Sequence, residues 1–228
     1  MKTKFENWPE KPQLESLMRA YWILCSTHEA SSSFLDTFEA TRKRRKAKGA
    51  PTDEEQDLLR AMLAFATSGL DSTVKQLVKD ALPRIVRRDK GASEMFRIHV
   101  EKRMQKEDKL DHKFLSSVLV SRFPQRELIN DLVDSLCATS LQSKEQLLRV
   151  AAAFNIESKS IVQSPQSLKE IFDARNQISH EMDVDFNQPN RSRRSRRKDV
   201  MIGYTNEIFR IALAFLLEVE SKLTSPIH

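Results

Sequence analysis

The sequence predicts an all-α protein built as a helical bundle, and three observations carry that prediction. Punctuation is sparse, with four glycines and eight prolines in 228 residues. Long segments are rich in Leu, Ala, Lys and Glu, which favour helices, and their apolar residues recur every three to four positions. No stretch of useful length alternates apolar and polar residues as a strand does, and no Asn-Gly or Asp-Gly hairpin turn occurs. With no internal repeat and no convincing linker, residues 1–228 read as one domain, long enough to bury a sizeable core.

The elements follow in order. Leu14, Leu17, Tyr21, Leu24 and Cys25 set a helical pattern over residues 13–48. The Ser31-Ser32-Ser33 run is the place for a bend, because hydroxyls compete for backbone hydrogen bonds. Gly49-Ala50-Pro51 stops this helix. Thr52-Asp53-Glu54-Glu55 then reads as a capping box opening a second helix through Leu58, Leu59, Met62, Phe65, Leu70, Val74, Leu77 and Val78. Pro83 ends it or sits just beyond it. Residues 84–123 predict two short helices, over 93–105 and 111–122, with Asp89-Lys90-Gly91 as a turn. Pro124 starts a helix carrying Leu128, Ile129, Leu132, Val133 and Leu136. Ser143 with Gln146 caps the next one. Ser164-Pro165 is an N-cap followed by proline at the first helical position, opening a helix that carries Leu168, Ile171 and Phe172 and frays near Met182. A polar, basic loop over 183–198 precedes a last helix over 199–223.

Composition bounds the setting. Cys25 and Cys137 are too few for a disulfide framework or a cysteine-based metal site, which points to a reduced, cytoplasmic environment. The N-terminal stretch lacks the apolar run of a signal peptide. The most apolar segment, residues 208–217, is broken by Arg210 and is short for a bilayer span, so no membrane partner is expected. The net charge of +6 is unevenly distributed. Residues 42–48 and 191–198 carry six basic residues each and no acid; without those twelve, 26 basic residues face 32 acidic ones, a balance of −6. The cationic character is therefore confined to two patches.

The side chains best suited to chemistry lie in Asp173-Ala174-Arg175-Asn176-Gln177-Ile178-Ser179-His180-Glu181. Histidine exchanges a proton near neutrality, arginine presents a charged planar fork to phosphate oxygens, and Asn176 is placed to hold either group. Together they suit a phosphodiester. On a regular helix Arg175 and His180 stand about 140° apart and roughly 7–8 Å along the axis, whereas Asn176 and His180 share a face. That spacing favours a site completed by a loosened helix end or by a second copy of the helix. An Arg-to-His spacing of this kind arises about once by chance in a chain so rich in arginine, and a histidine capping helix-end carbonyls is ordinary, so weight rests on context.

The context is a motif that closes the penultimate long helix of an all-α chain and is followed by an apolar terminal helix. In this, Arg175-Asn176-Gln177-Ile178-Ser179-His180 resembles the HEPN family (higher eukaryotes and prokaryotes nucleotide-binding), marked by Arg, a polar residue, and His after four to six intervening positions. Upstream, the alanine-rich segment from Asp57 through Leu70-Asp71 is similar to the early helix of the RiboL-PSP-HEPN branch. The resemblance covers residues 50–222. It implies a two-fold dimer of helical bundles, a composite site, and metal-independent RNA cleavage with no cofactor. Residue by residue, it implies His180 as the acid/base group, Arg175 as the phosphate clamp, Asn176 as the polar residue beside it and Asp71 as a supporting acid. A toxin or anti-phage role, with an antitoxin or regulatory partner, follows from the same resemblance, and the family also has members that bind without cutting. Residues 84–123 and the tract 191–198 match no family pattern and read as insertions.

The tract Arg191, Arg193, Arg194, Arg196, Arg197 and Lys198 directly follows the motif helix and suits RNA phosphates; its lack of aromatics favours backbone attraction over base reading. Residues 42–48 sit at a helix C-terminus, where cations are favoured in any case. His99 and His112 lack partners at metal-ligand spacing, Glu101 and Glu107 belong to a charged helix face, and no Ser or Cys stands in a nucleophile elbow. A Walker A loop and a glycine-rich nucleotide fingerprint are both missing, which excludes the usual ATP-driven mechanisms. The alternative class is a non-catalytic helical module that binds nucleic acid or a protein partner.

Overall fold

The computed structural model describes residues 4–46, 49–106, 109–141 and 143–225. Ala47 and Lys48, which close the first basic run, and Glu107 lie outside them. The described chain is helical almost throughout. After a 3-10 turn at Glu15–Leu17 come α1 (Met18–Arg44), α2 (Asp53–Asp80), α3 (Leu82–Ile85) and α4 (Lys90–Met104). A two-residue antiparallel pair, β1 (Gln105–Lys106) with β2 (Lys109–Leu110), leads to α5 (His112–Leu119), α6 (Pro124–Cys137) and α7 (Lys144–Ala153). Then follow α8 (Ser158–Ile161), α9 (Pro165–Glu181) and α10 (Lys198–Thr224).

The sequence signals act as read at most helix starts. Thr52 and Glu55 form a reciprocal capping box: the Glu55 amide donates to Thr52 Oγ1 at 3.3 Å and the Thr52 amide to Glu55 Oε2 at 2.9 Å. Ser143 caps α7 through the Gln146 amide, and Ser164 caps α9 through the Ser167 amide. Pro83 lies just beyond α2, one of the two places read for it, in the first turn of α3, where its missing N–H costs nothing. Two expectations are corrected. Asp89-Lys90-Gly91 is no turn: Asp89 is an N-cap, accepting from the Ala92 amide at 2.9 Å, so α4 begins at Lys90. The serine run leaves α1 unbroken, Ser33 turning its hydroxyl onto the Glu29 carbonyl at 3.0 Å.

Helix α2 is the axis of the bundle. It pairs most extensively with α1, then with α10, and also meets α9, α6 and α3. At Gly69 the approach of α1 is so close that a Cβ would stand 2.2 Å from Thr27. One hydrophobic core runs through all of these elements, from Leu17 and Leu24 through Leu59, Leu63 and Leu77 to Phe154, Ile171, Phe209 and Phe215. Phe5 extends it, meeting Phe209 edge-on with ring centroids 5.4 Å apart. The stretch before α1 is tied along α10, with the Glu6 amide donating to Asn206 and the Gln13 amide to Glu220. Helix α10 is long and apolar enough to cross a membrane by length and composition, beyond the short segment read from sequence. Its apolar face is nevertheless occupied by protein: Ile208, Phe209, Ile211, Ala212, Phe215, Leu216 and Val219 are buried in the core.

Candidate functional site

Helix α9 presents the motif. Leu168, Ile171, Phe172 and Ala174 bury one side, which leaves Asn176 and His180 exposed and Arg175 half-buried. The helix stays regular through Glu181, where it ends in a left-handed cap: Met182 has φ 51° and Asp183 φ 61°. The Met182 and Asp183 amides both return to the Gln177 carbonyl.

The helical angle between Arg175 and His180 is overcome by the reach of the guanidinium. Arg175 Nη1 lies 3.3 Å from His180 Nε2 and donates to Asn176 Oδ1 at 3.1 Å. All three motif residues therefore meet within one chain, without loosening of the helix, and the geometric ground for requiring a second copy falls away. Burial holds the Arg175 pKa below the usual guanidinium value, partly countered by the nearby charge of Asp71. Arg175 makes no ion pair among the described residues, so its charge stays free for an anion.

Asp71, on α2, does not reach the motif through a hydrogen bond among the described residues. Its Oδ1 accepts from the Leu141 amide at 2.7 Å and its Oδ2 pairs with Lys75 at 3.0 Å. It anchors the turn between α6 and α7, and acts on Arg175 only through its charge.

The tract after α9 is more structured than a mobile cationic loop. Asp183 is fully buried, and it draws in two guanidinium groups: Arg60 Nε donates to its Oδ2 at 2.7 Å and Arg196 Nε to the same oxygen at 2.9 Å. Arg196 also pairs with Asp183 Oδ1 and donates to Gln177 Oε1 at 2.8 Å, one turn before His180. Arg60, itself 3% exposed, donates to the Arg194 carbonyl at 2.9 Å. Arg194 meets Glu181 at 3.0 Å, Arg193 meets Asp57 at 2.6 Å, and a bridge joins Val184 to Arg193. Lys198 binds Glu39 at 2.5 Å, and Arg197 folds onto Asp199 at the exposed start of α10. Of the six cations singled out from sequence, Arg191 alone is exposed with no ion pair among the described residues. Four of the six, Arg193, Arg194, Arg196 and Lys198, are thus engaged in holding the loop to α2, α9 and α1.

Arg60 and Asp183 were missed from sequence because no local pattern pairs residues 123 positions apart. The first basic run behaves likewise: Arg42 and Arg45 both meet the buried Glu55, closing the α1–α2 turn. His99 pairs with Asp131 at 2.9 Å, and no metal-binding cluster of three or more His, Cys, Asp or Glu occurs among the described residues.

The fold and site define a helical protein with an exposed Arg–Asn–His cluster at a helix C-terminus. No protein-family model, curated protein or solved structure matches this chain.

Proposed function

We propose that this protein is an endoribonuclease of HEPN type, acting on RNA in the cytoplasm as a homodimer without a metal or other cofactor. The observation that carries the reading is the 3.3 Å approach of an un-neutralised Arg175 guanidinium to the exposed His180 imidazole. With its proton on Nδ1, the imidazole accepts from Arg175 at Nε2; once Arg175 turns to a phosphate oxygen, that nitrogen is free to take a proton from a ribose 2′-hydroxyl. That hydroxyl then attacks the adjacent phosphorus, and Arg175 stabilises the charge that grows on the phosphorane oxygens. The 5′-oxygen leaves with a proton, giving a 2′,3′-cyclic phosphate and a 5′-hydroxyl.

A two-fold arrangement would set a second His180 opposite the first, one as base and the other as acid. Met182 and Phe186, both exposed beside the motif, supply apolar surface for such a partner or for a stacked base. A toxin or anti-phage role under an antitoxin's control belongs to the same proposal. The test is RNA cleavage in EDTA: wild type is expected to cut, and His180→Ala and Arg175→Ala each to lose activity by about 10²-fold or more. Undiminished cutting by either clean variant would sink the reading.

A binding-only module is the second reading. It is favoured by Arg87, Arg122 and Arg126, which gather around Phe123 at a pocket of about 340 Å³ and make no ion pair among the described residues. Under it, charge reversal at these arginines abolishes RNA affinity while His180→Ala changes nothing, and a salt titration of binding separates the two cases.

A further inference from the structure

The face of α9 that carries Asn176 and His180 also lines a cleft. At 100° per residue, Gln166, Lys169, Phe172, Asp173, Asn176 and His180 fall within about 120° of arc. They form a continuous stripe roughly 21 Å long that runs into the motif. The first turn of α7 faces the start of this stripe. Between them lies an open cleft of about 660 Å³, lined by Lys144 and Glu145 from α7 and by Gln166, Phe172, Asp173 and Asn176 from α9. That size falls in the range of small-ligand sites.

The lining is not a phosphate trap. Two lysines face two carboxylates, and Lys169 already binds Asp173 at 2.5 Å. What remains open is rich in acceptors. The Gln166 amide nitrogen donates to Glu170 at 3.0 Å, leaving its Oε1 to accept. Glu145 contributes a carboxylate in the same place. Asn176 has spent its Oδ1 on Arg175, which leaves its amide N–H groups for a ligand. An edge of Phe172 and the ring of Pro165 give the cleft apolar surface.

We infer that this cleft is a nucleobase subsite, selective for a base with an exocyclic amino group, which seats the nucleotide next to the phosphodiester held by Arg175 and His180. The oxygens of Glu145 and Gln166 accept from the amino groups of cytosine, adenine or guanine, whereas uracil brings these two acceptors a single ring N–H and sets a carbonyl lone pair against the other. The placement of that nucleotide beside a reacting bond rests on the ribonuclease reading; base binding itself does not.

The experiment is an NMR titration of the full chain with GMP, AMP, CMP and UMP, followed by position-resolved cleavage of a mixed-sequence RNA. The amino-bearing nucleotides are expected to bind about tenfold tighter than UMP, the weight of one hydrogen-bonded discrimination. The double variant Glu145→Ala/Gln166→Ala, altered only at exposed positions, is expected to erase that preference, and His180→Ala to keep it. Equal binding of UMP, or a preference unchanged in the double variant, overturns the subsite. Selective binding in a protein that cuts no RNA overturns the ribonuclease reading and leaves the subsite standing. Cleavage with one sequence profile in wild type and double variant does the reverse.

Discussion

At the scale of single residues, the side chain decides whether chemistry is within reach. Arginine is long enough to cross the 140° that separates positions 175 and 180 on a regular helix (about 100° per residue), and a shorter or singly pronged cation is not equivalent. On the proposed ribonuclease reading, Arg175→Lys is therefore expected to lose most of the cleavage activity, because an ammonium cannot hold Asn176 and a phosphate at once through a planar fork. His28 shows the opposite use of an imidazole. It is fully buried, stacked on Phe209 with ring centroids 3.6 Å apart, with Trp8 edge-on at 5.4 Å. Neither ring nitrogen has a hydrogen-bond partner of normal geometry, although the backbone at Asn7 lies close. Burial pushes its pKa down to about 4. The sign follows directly. As pH falls below the ordinary histidine value of about 6.5, the unfolded chain takes up a proton before the folded one does, so stability is full above that pH and is lost toward pH 4. Urea unfolding is expected to show about 2 kcal/mol less stability at pH 5 than at pH 8 from this group. In His28→Phe that difference should shrink. A pH profile identical in the two proteins would rule the account out.

Elements are placed by a few contacts between distant parts of the chain. Gly69 lets the Thr27 side chain of α1 pack directly on the backbone of α2, and Gly69→Ala is expected to cost about 1–3 kcal/mol, since the new methyl overlaps Thr27. Thermal unfolding measures it, and an unchanged midpoint would show that the helices can slide apart freely. The Asp183 knot works on the loop after α9. It joins α2 through Arg60, the loop through Arg196, and the last turns of α9 through Gln177. Asp183→Asn keeps the shape and tolerates the left-handed backbone, but it leaves Arg60 without its buried counter-charge. The expected loss is about 3–5 kcal/mol, and hydrogen exchange over residues 183–197 should quicken more than over α1. Uniform exchange across both segments would deny the knot a local role. Most of the basic tract is therefore structural first, and on the proposed ribonuclease reading the attraction for RNA phosphates falls mainly to Arg191 and Arg197.

For the whole molecule, the open question is the second copy. One chain brings Arg175 and His180 together unaided, so under the proposed ribonuclease mechanism a second copy would serve only to supply an opposing acid. Mixing separates the cases. If two subunits complete each site, activity should fall as the square of the wild-type fraction when inactive His180→Ala protein is added under exchange. A linear decline would show that each chain works alone. The bundle's construction suits such an arrangement, because the long helices α1, α2 and α10 hold the core and leave the end of α9 at the surface.

Helix class and most helix starts were legible in the sequence, because capping and periodicity act over three or four neighbouring residues. Thr52 with Glu55, Ser143, Pro124 and Ser164-Pro165 each mark a start where the structure places one. The turn assigned to Asp89-Lys90-Gly91 failed because Asp suits an N-cap as well as a turn, and its choice depends on Asn155 and Lys222, both far along the chain, which bind its carboxylate. The motif residues were legible as chemistry but not as geometry. Residue spacing fixes the angle between Cα–Cβ bonds, whereas the contact is made by a guanidinium several bonds further out. The basic tract was legible as charge, yet its engagement was decided by Asp183, Arg60, Asp57 and Glu39, which only the folded chain brings within ion-pair distance. The sequence by itself thus determined an all-helical chain and the grouping of Arg175, Asn176 and His180 near the end of one helix. Tertiary structure alone decided which charges neutralise one another and which remain free, because that balance depends on distances between segments a hundred or more residues apart.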